Sequence, residues 1–230
     1  MTAAAAITNH DRQMSKHLAD RFAGISTSTI SNAMDELGLN GVILGLDPLI
    51  RPVSFTGLAF TVKARTKELA GSFPPTDFSI GDVLDSTQPG DAIVIAAEGG
   101  QVALLGGMAA LFASTRGVAG IVIDGGVRDV DEVLNTRLPV FSRHIVPLSP
   151  RTRVRIEQMN TEVHIGDVGI SPCDIIIADS SGIVSIPRQS AERVLSLCMA
   201  ARANDGRAET MIKEGASFNT VHLAIQGKLR

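Results

Sequence analysis

Two short apolar runs, "DAIVIAAEGG" at 91–100 and "GIVIDGGVRD" at 120–129, constrain the fold more than any other feature of this chain. Neither run alternates with polar residues, and both contain or end in glycines. Strands of this character must be covered on both faces, as in a parallel sheet built from βαβ units. The stretch between them, 102–115, is apolar and predicts the connecting helix. Ligands of such sheets gather beyond the carboxyl ends of the strands, where both glycine loops fall.

The remaining pattern fits an α/β chain. Residues His17–Leu37 carry apolar positions at helical spacing, with Ser and Thr caps in "STSTISNAMDELG" and Gly38 as a stop, and predict one or two helices. A strand is expected over Gly57–Ala64, a short helix in "DFSIGDVLDST", and a second buried strand over Gly120–Asp124. "LPVFSRHIVP", "TRVRIEQMN" and "TEVHIGDVGISPCDIIIADSSGIVSIP" are short strands broken by Pro, Gly and Asp, which predicts an antiparallel layer. A final helix starts near Pro187 and runs through "AERVLSLCMAARAN". No linker or repeat divides residues 1–230, so a single domain is expected.

Composition narrows the function. A net charge of -3, no Lys/Arg run, no Trp, no Tyr and 3% aromatics exclude the basic or stacking surfaces that bind nucleic acid. The longest apolar run, Val102–Ala113, is too short to span a bilayer, which takes roughly 20 residues. "MTAAAAITNHDRQMSK" lacks the basic and apolar regions of a secretory signal, so a cytoplasmic location is expected. Cys173 and Cys198 form no CxxC pair and read as small buried hydrophobes. Small molecules or protein partners remain.

Charge is concentrated in "IVIDGGVRDVDEV", Ile121–Val133. Gly125 and Gly126 allow a sharp turn after the strand, and a helix starting near Val127–Asp129 aims its amides into the crevice. Arg128 can hold a carboxylate bidentately and Asp129 can ligate Mg2+ or Mn2+, a pair suited to a metal-chelated 2-oxo acid and its enolate. The competing reading is a D-x-x-E capping box of Asp129 and Glu132, with Arg128 pairing at the surface. In "AEGGQVALLGGMAAL", Gly106 and Gly107 each cost a helix on the order of 1 kcal/mol. Either the helix starts near Gly107 and offers the amides of Met108 and Ala109 to a ligand, or the glycines serve close packing. His144 and His164 read as structural, and Asp35, Asp91 and Asp179 as caps or Asx turns. No G-x-G-x-x-G, Walker A or G-x-S-x-G pattern occurs.

"GVAGIVIDGGVRDVDEV" resembles the signature segment of the RraA-like family, and "FTGLAFTVKA", "PGDAIVIAAEGG" and "CDIIIADSSGIVSIP" resemble its other strands. The family includes class II 4-hydroxy-4-methyl-2-oxoglutarate/4-carboxy-4-hydroxy-2-oxoadipate aldolases and the regulator of ribonuclease E activity A. The resemblance implies an α/β fold with a β/β/α core, a central mixed sheet flanked by helices, assembled as a homotrimer or a dimer of trimers. It implies Asp129 as ligand of Mg2+ or Mn2+, Arg128 as catalytic stabiliser of the enolate, and Gly107, Met108 and Ala109 as binders of the substrate carboxylate. An acid from a neighbouring subunit, Asp205 or else Glu209, would support the metal's waters. At one position the chain departs: aldolase members carry Glu or Asp where Gly107 stands, with twenty residues between that acid and the arginine, and Glu98 is a conceivable substitute. The implied activity is a metal-dependent retro-aldol cleavage of a 4-hydroxy-2-oxo diacid to pyruvate, with oxaloacetate decarboxylation alongside. The alternatives are a non-catalytic regulator that binds a ribonuclease or other protein, and another metal-assisted lyase or dehydratase acting on a hydroxy acid.

Overall fold

The computed structural model describes residues 9–225. The first eight residues, half of the segment that argued against a leader, lie outside the described residues. None of the described helices is long and apolar enough to cross a membrane.

The amino-terminal region forms two helices, α1 (Asn9–Arg21) and α2 (Thr27–Glu36). Ser26 caps α2 by accepting from the Thr29 amide, and Gly38, at φ +65°, ends it in a left-handed turn. Short strands β1 (Val42–Ile43) and β2 (Asp47–Pro48) precede the long β3 (Ser54–Thr66). Next come α3 (Ile80–Asp85), β4 (Asp91–Ala96), β5 (Ala103–Leu105), α4 (Gly107–Thr115), β6 (Gly120–Val127), α5 (Val130–Asn135) and β7 (Val140–Ile145). The carboxyl-terminal part holds β8 (Val154–Met159), the hairpin β9 (Val163–Ile165) and β10 (Val168–Ile170), then β11 (Ile175–Asp179) and β12 (Gly182–Ile186). Helices α6 (Ala191–Lys213) and α7 (Phe218–Ile225) follow.

One mixed sheet dominates, in the order β1-β12-β11-β3-β4-β6-β7-β2, with β5 added on β6 and β8 on β3. Strands β3, β4, β6 and β7 are mutually parallel, while β8, β11 and β12 run antiparallel to their partners. Alternate residues of β4 explain its continuous apolar run. Ile93 and Ile95 enter the core beneath α3 and α4, and Ala92, Val94 and Ala96 face the opposite core with the β9–β10 hairpin. A third core joins α1, α2 and α6 to β11 and β12.

The expected helix over 102–115 is corrected. Ala103–Leu105 is a strand, with Ala103 beside Gly126 and Leu105 beside Val127, and only from Gly107 does the chain turn helical. A buried run of four apolar residues has no period that separates strand from helix, and here pairing with β6 decides. The expected sharp turn at Gly125 and Gly126 is also absent, because β6 continues through both, with an irregularity in its pairing to β7 between Ile123 and Gly126. Their role is steric, since a Cβ on Gly126 would lie 2.6 Å from Val146 Cγ2 and 2.8 Å from the Val102 carbonyl oxygen. The carboxyl-terminal helix extends well past Asn204 and is followed by a second one.

Asp179, at the end of β11, accepts from the Thr27 amide (2.8 Å), the Thr27 hydroxyl (2.7 Å) and the Ser181 amide (2.7 Å), so one carboxylate ties α2 to the sheet. Partial burial pushes this carboxyl up, but these hydrogen bonds outweigh burial and hold it below the usual carboxylate range. A lowered folded-state pKa stabilises the protein above about pH 4 and is lost as pH falls through the folded value. Asp179→Ala is therefore expected to cost about 1–2 kcal/mol in neutral urea denaturation. The cost should shrink in acid; an equal cost at neutral and acid pH would refute the ionic account.

Candidate functional site

A cavity of about 410 Å3 opens where β5 and β6 end, walled by α3 and the start of α4. Arg128, Asp129, Gly106, Met108 and Ala109 line one part of it. The sheet places them there: the Arg128 amide donates to the Leu105 carbonyl (3.0 Å), so the two chain segments stay paired up to the point where α4 begins. The first bond of the α4 ladder runs from the Ala110 amide to the Gly106 carbonyl. The amides of Gly107, Met108 and Ala109 therefore stand outside the ladder and offer donors at a positive helix end.

Asp129 occupies the left-handed region (φ 53°, ψ 45°), an uncommon conformation for a residue other than glycine that asparagine and aspartate tolerate best. This twist sends its carboxylate away from α5. Asp129 holds the N-cap position of α5 but makes no side-chain cap hydrogen bond, which overturns the capping-box reading. Instead, Oδ2 accepts from the Gly107 amide (3.3 Å) and lies 3.4 Å from Arg128 Nε. Both contacts use Oδ2, so among the described residues Oδ1 and the terminal nitrogens of Arg128 remain available to a ligand.

The two glycines at the start of α4 are required by the acids and the guanidinium that press on them. A Cβ on Gly106 would lie 2.6 Å from Asp129 Oδ2 and 3.1 Å from Arg128 Nε. A Cβ on Gly107 would collide with Glu132 Oε2 and lie 2.7 Å from Glu132 Cβ. Glu132 thus brings a carboxylate to the place where a side chain at position 107 would stand. Sequence reasoning missed this, treating Glu132 only as a capping partner, although its spacing of three from Asp129 on one helical turn was a usable signal. Gly107→Ala is expected to cost about 1–2 kcal/mol by thermal or urea unfolding, through overpacking against α5. Adding Glu132→Ala should recover part of that loss, and a neutral Gly107→Ala would refute the steric account.

Other candidates fall elsewhere. Glu98 sits at φ 53° in the loop after β4 and does not line the cavity, so the expected substitute for an acid at 107 is not brought to the site. Asp205 and Glu209 lie on α6, which packs on α1, α2 and α7; Glu209 pairs with Lys213. Within one chain neither reaches the cavity. His144 Nε2 lies 3.0 Å from the Gly99 carbonyl, a structural contact. Asp91 accepts from the Gln88 amide and pairs with Arg12, and both cysteines are buried. Burial pushes both thiols up, Cys173 despite the opposing Arg12 charge, so both are held as neutral thiols. A pair that sequence reasoning overlooked is Asp124 with Arg143, at 2.6 Å, where Asp124 also accepts from the Gly99 amide (3.2 Å) and fixes the loop after β4.

For a divalent cation the chemistry of the donors is informative. Among the described residues no group of three or more His, Cys, Asp and Glu converges. Asp129 is the carboxylate at the cavity that could hold Mg2+, an ion that keeps several waters and binds through one or two carboxylates plus a ligand.

A parallel-strand end that brings together an arginine, a free carboxylate oxygen and helix amides defines an α/β protein with a charged, donor-bearing cavity at the sheet end. Residues 27–185 match the family model "RraA-like: Aldolase/RraA", and the chain belongs to that family. It is 29% identical over 195 residues to a Halalkalibacterium halodurans protein provisionally named 4-hydroxy-4-methyl-2-oxoglutarate aldolase, covering 84% of this chain and 88% of that one. It is 27% identical to protein DlpA of Legionella pneumophila over 88% of this chain, which spans only 32% of DlpA. Streptomyces coelicolor RraAS2, described as an unusual member of the RNase ES inhibitor RraA family, superposes with a TM-score of 0.73 at 25% identity, over 87% of this chain and 96% of that one.

Proposed function

We propose that this chain is a divalent-metal-dependent lyase that releases pyruvate from a 4-hydroxy-2-oxo acid, the kind of reaction for which the Halalkalibacterium relative is named. The observation that carries this reading is the convergence of Arg128, Asp129 and the α4 amides at one cavity. Asp129 would hold the cation, which supplies charge that polarises the 2-oxo group and offsets the enolate. Arg128 and the amides of Met108 and Ala109 grip the carboxylate and the developing enolate oxygen, where fixed donors stabilise charge without reorganisation. The C3–C4 bond breaks, its electron pair passes to C3 as the enolate, and the 4-hydroxyl oxygen becomes a carbonyl. The hydroxyl proton passes to solvent water in this scheme, and C3 is then protonated to give pyruvate. Oxaloacetate losing carbon dioxide would form the same enolate, which makes decarboxylation the expected side reaction.

Pyruvate release from 4-hydroxy-4-methyl-2-oxoglutarate and from oxaloacetate, followed through a lactate dehydrogenase couple, tests the proposal. Release is expected with Mg2+ or Mn2+ and not with EDTA. The second reading, a regulator without turnover, draws on the description of RraAS2 and on the missing acid at Gly107. Glu132 at that place weakens the latter ground. No pyruvate from either acid, together with a ribonuclease captured in a pull-down, would reverse the order.

A further inference from the structure

The cavity lining combines a charged group of residues with a larger apolar one. Both groups suited to an acid, Arg128 and the α4 amides, stand at the strand end, and Phe78, Ile80, Leu84, Phe112 and Pro150 add apolar surface to the same lining. Among the described residues of one chain, Arg128 is the only cation in the lining, and the other charged groups there are Asp129 and Asp85. Arg116 lies over the Phe112 ring, 5.9 Å from its centroid, but its guanidinium donates to the Asp85 and Thr87 carbonyls and does not line the cavity. A second carboxylate at the far end of a substrate would therefore meet aromatic and aliphatic carbon and the Asp85 carboxylate, with no cation to offset its desolvation. An alkyl group there would instead bury its surface against Leu84 and Phe112.

We infer that the substrate is a 4-hydroxy-2-oxo monoacid with an apolar chain beyond C4, and that Ile80, Leu84 and Phe112 select it over a diacid. This rests on the lyase reading for its chemistry. For 4-hydroxy-2-oxoheptanoate the balanced step gives pyruvate and butanal: the C3–C4 pair goes to C3, the 4-hydroxyl oxygen loses its proton and becomes the aldehyde carbonyl, and one proton returns to C3.

Two measurements on the full chain with Mg2+ separate this inference from the reading beneath it. The first compares kcat/KM for 4-hydroxy-2-oxoheptanoate and 4-hydroxy-4-methyl-2-oxoglutarate. The second compares calorimetric affinities of 2-oxohexanoate and 2-oxoglutarate, which need no turnover. The monoacid is expected to win by about ten-fold or more in both, from burial of its alkyl carbons. Phe112→Lys, at a half-exposed position that tolerates a long polar side chain, should move the preference toward the diacids. Diacids equal to or better than monoacids in both assays overturn the selectivity while leaving the lyase intact. Preferential binding of 2-oxohexanoate without pyruvate release from either substrate upholds the selectivity and overturns the reaction. Binding of neither acid overturns both.

Discussion

Asp129→Asn is expected to lower metal-dependent pyruvate release by about 10³-fold and to raise the Mg2+ concentration needed for half-maximal rate, with little change in melting temperature. Asparagine is nearly isosteric and tolerates the left-handed region as well as aspartate does, so the backbone at φ 53° and the contact with the Gly107 amide can survive the change. What is lost is the negative charge on the oxygen left for a cation. The charge also neutralises Arg128, its neighbour at 3.4 Å, so the variant leaves the guanidinium without its internal partner. Substrate carboxylate binding without metal should then hold or improve while turnover collapses. Turnover and metal affinity that both stay intact would show that Asp129 does not hold the cation.

Arg128→Ala should cut kcat/KM by about 10³-fold and Arg128→Lys by about 10²-fold, each measured by the same pyruvate couple. The difference between the two reports geometry. Lysine restores a charge but not the planar fork that meets a carboxylate or enolate edge with parallel donors. A guanidinium that served only the ground-state carboxylate would raise KM and leave kcat alone, whereas one that also holds the enolate lowers kcat. Both parameters are expected to move, because the head carboxylate and the enolate oxygen lie next to each other on the same substrate. An unaffected Arg128→Ala would reduce the residue to a surface partner of Asp129, an arrangement that at this exposure contributes at most about 1 kcal/mol to stability.

Much of this site is legible in the chain because it is local. Arg128 and Asp129 adjoin in sequence and follow a strand that the run "GIVI" announces, so their arrival at a sheet end requires only that the strand exist. The helix start at Gly107 is equally local, since a glycine pair inside an apolar run is a poor helix interior and an acceptable helix beginning. The antiparallel region and the buried cysteines follow from turn residues and composition in the same way.

Other features depend on which segments meet. Leu105 is strand because β6 offers it a free edge, Gly125 and Gly126 continue β6 because Leu104 and Val146 leave no room for side chains, and Glu132 covers Gly107 because α5 packs on α4. The apolar wall likewise exists only once α3 lies beside α4. The amino-acid sequence alone therefore determined the class of sheet, the elements and the acid-and-base pair, through hydrophobic period and backbone preference acting over a few residues. Tertiary structure alone decided the placement of Glu132 over Gly107, the paired path of β5 and the apolar part of the cavity lining, because those arise from close packing between residues distant in the chain.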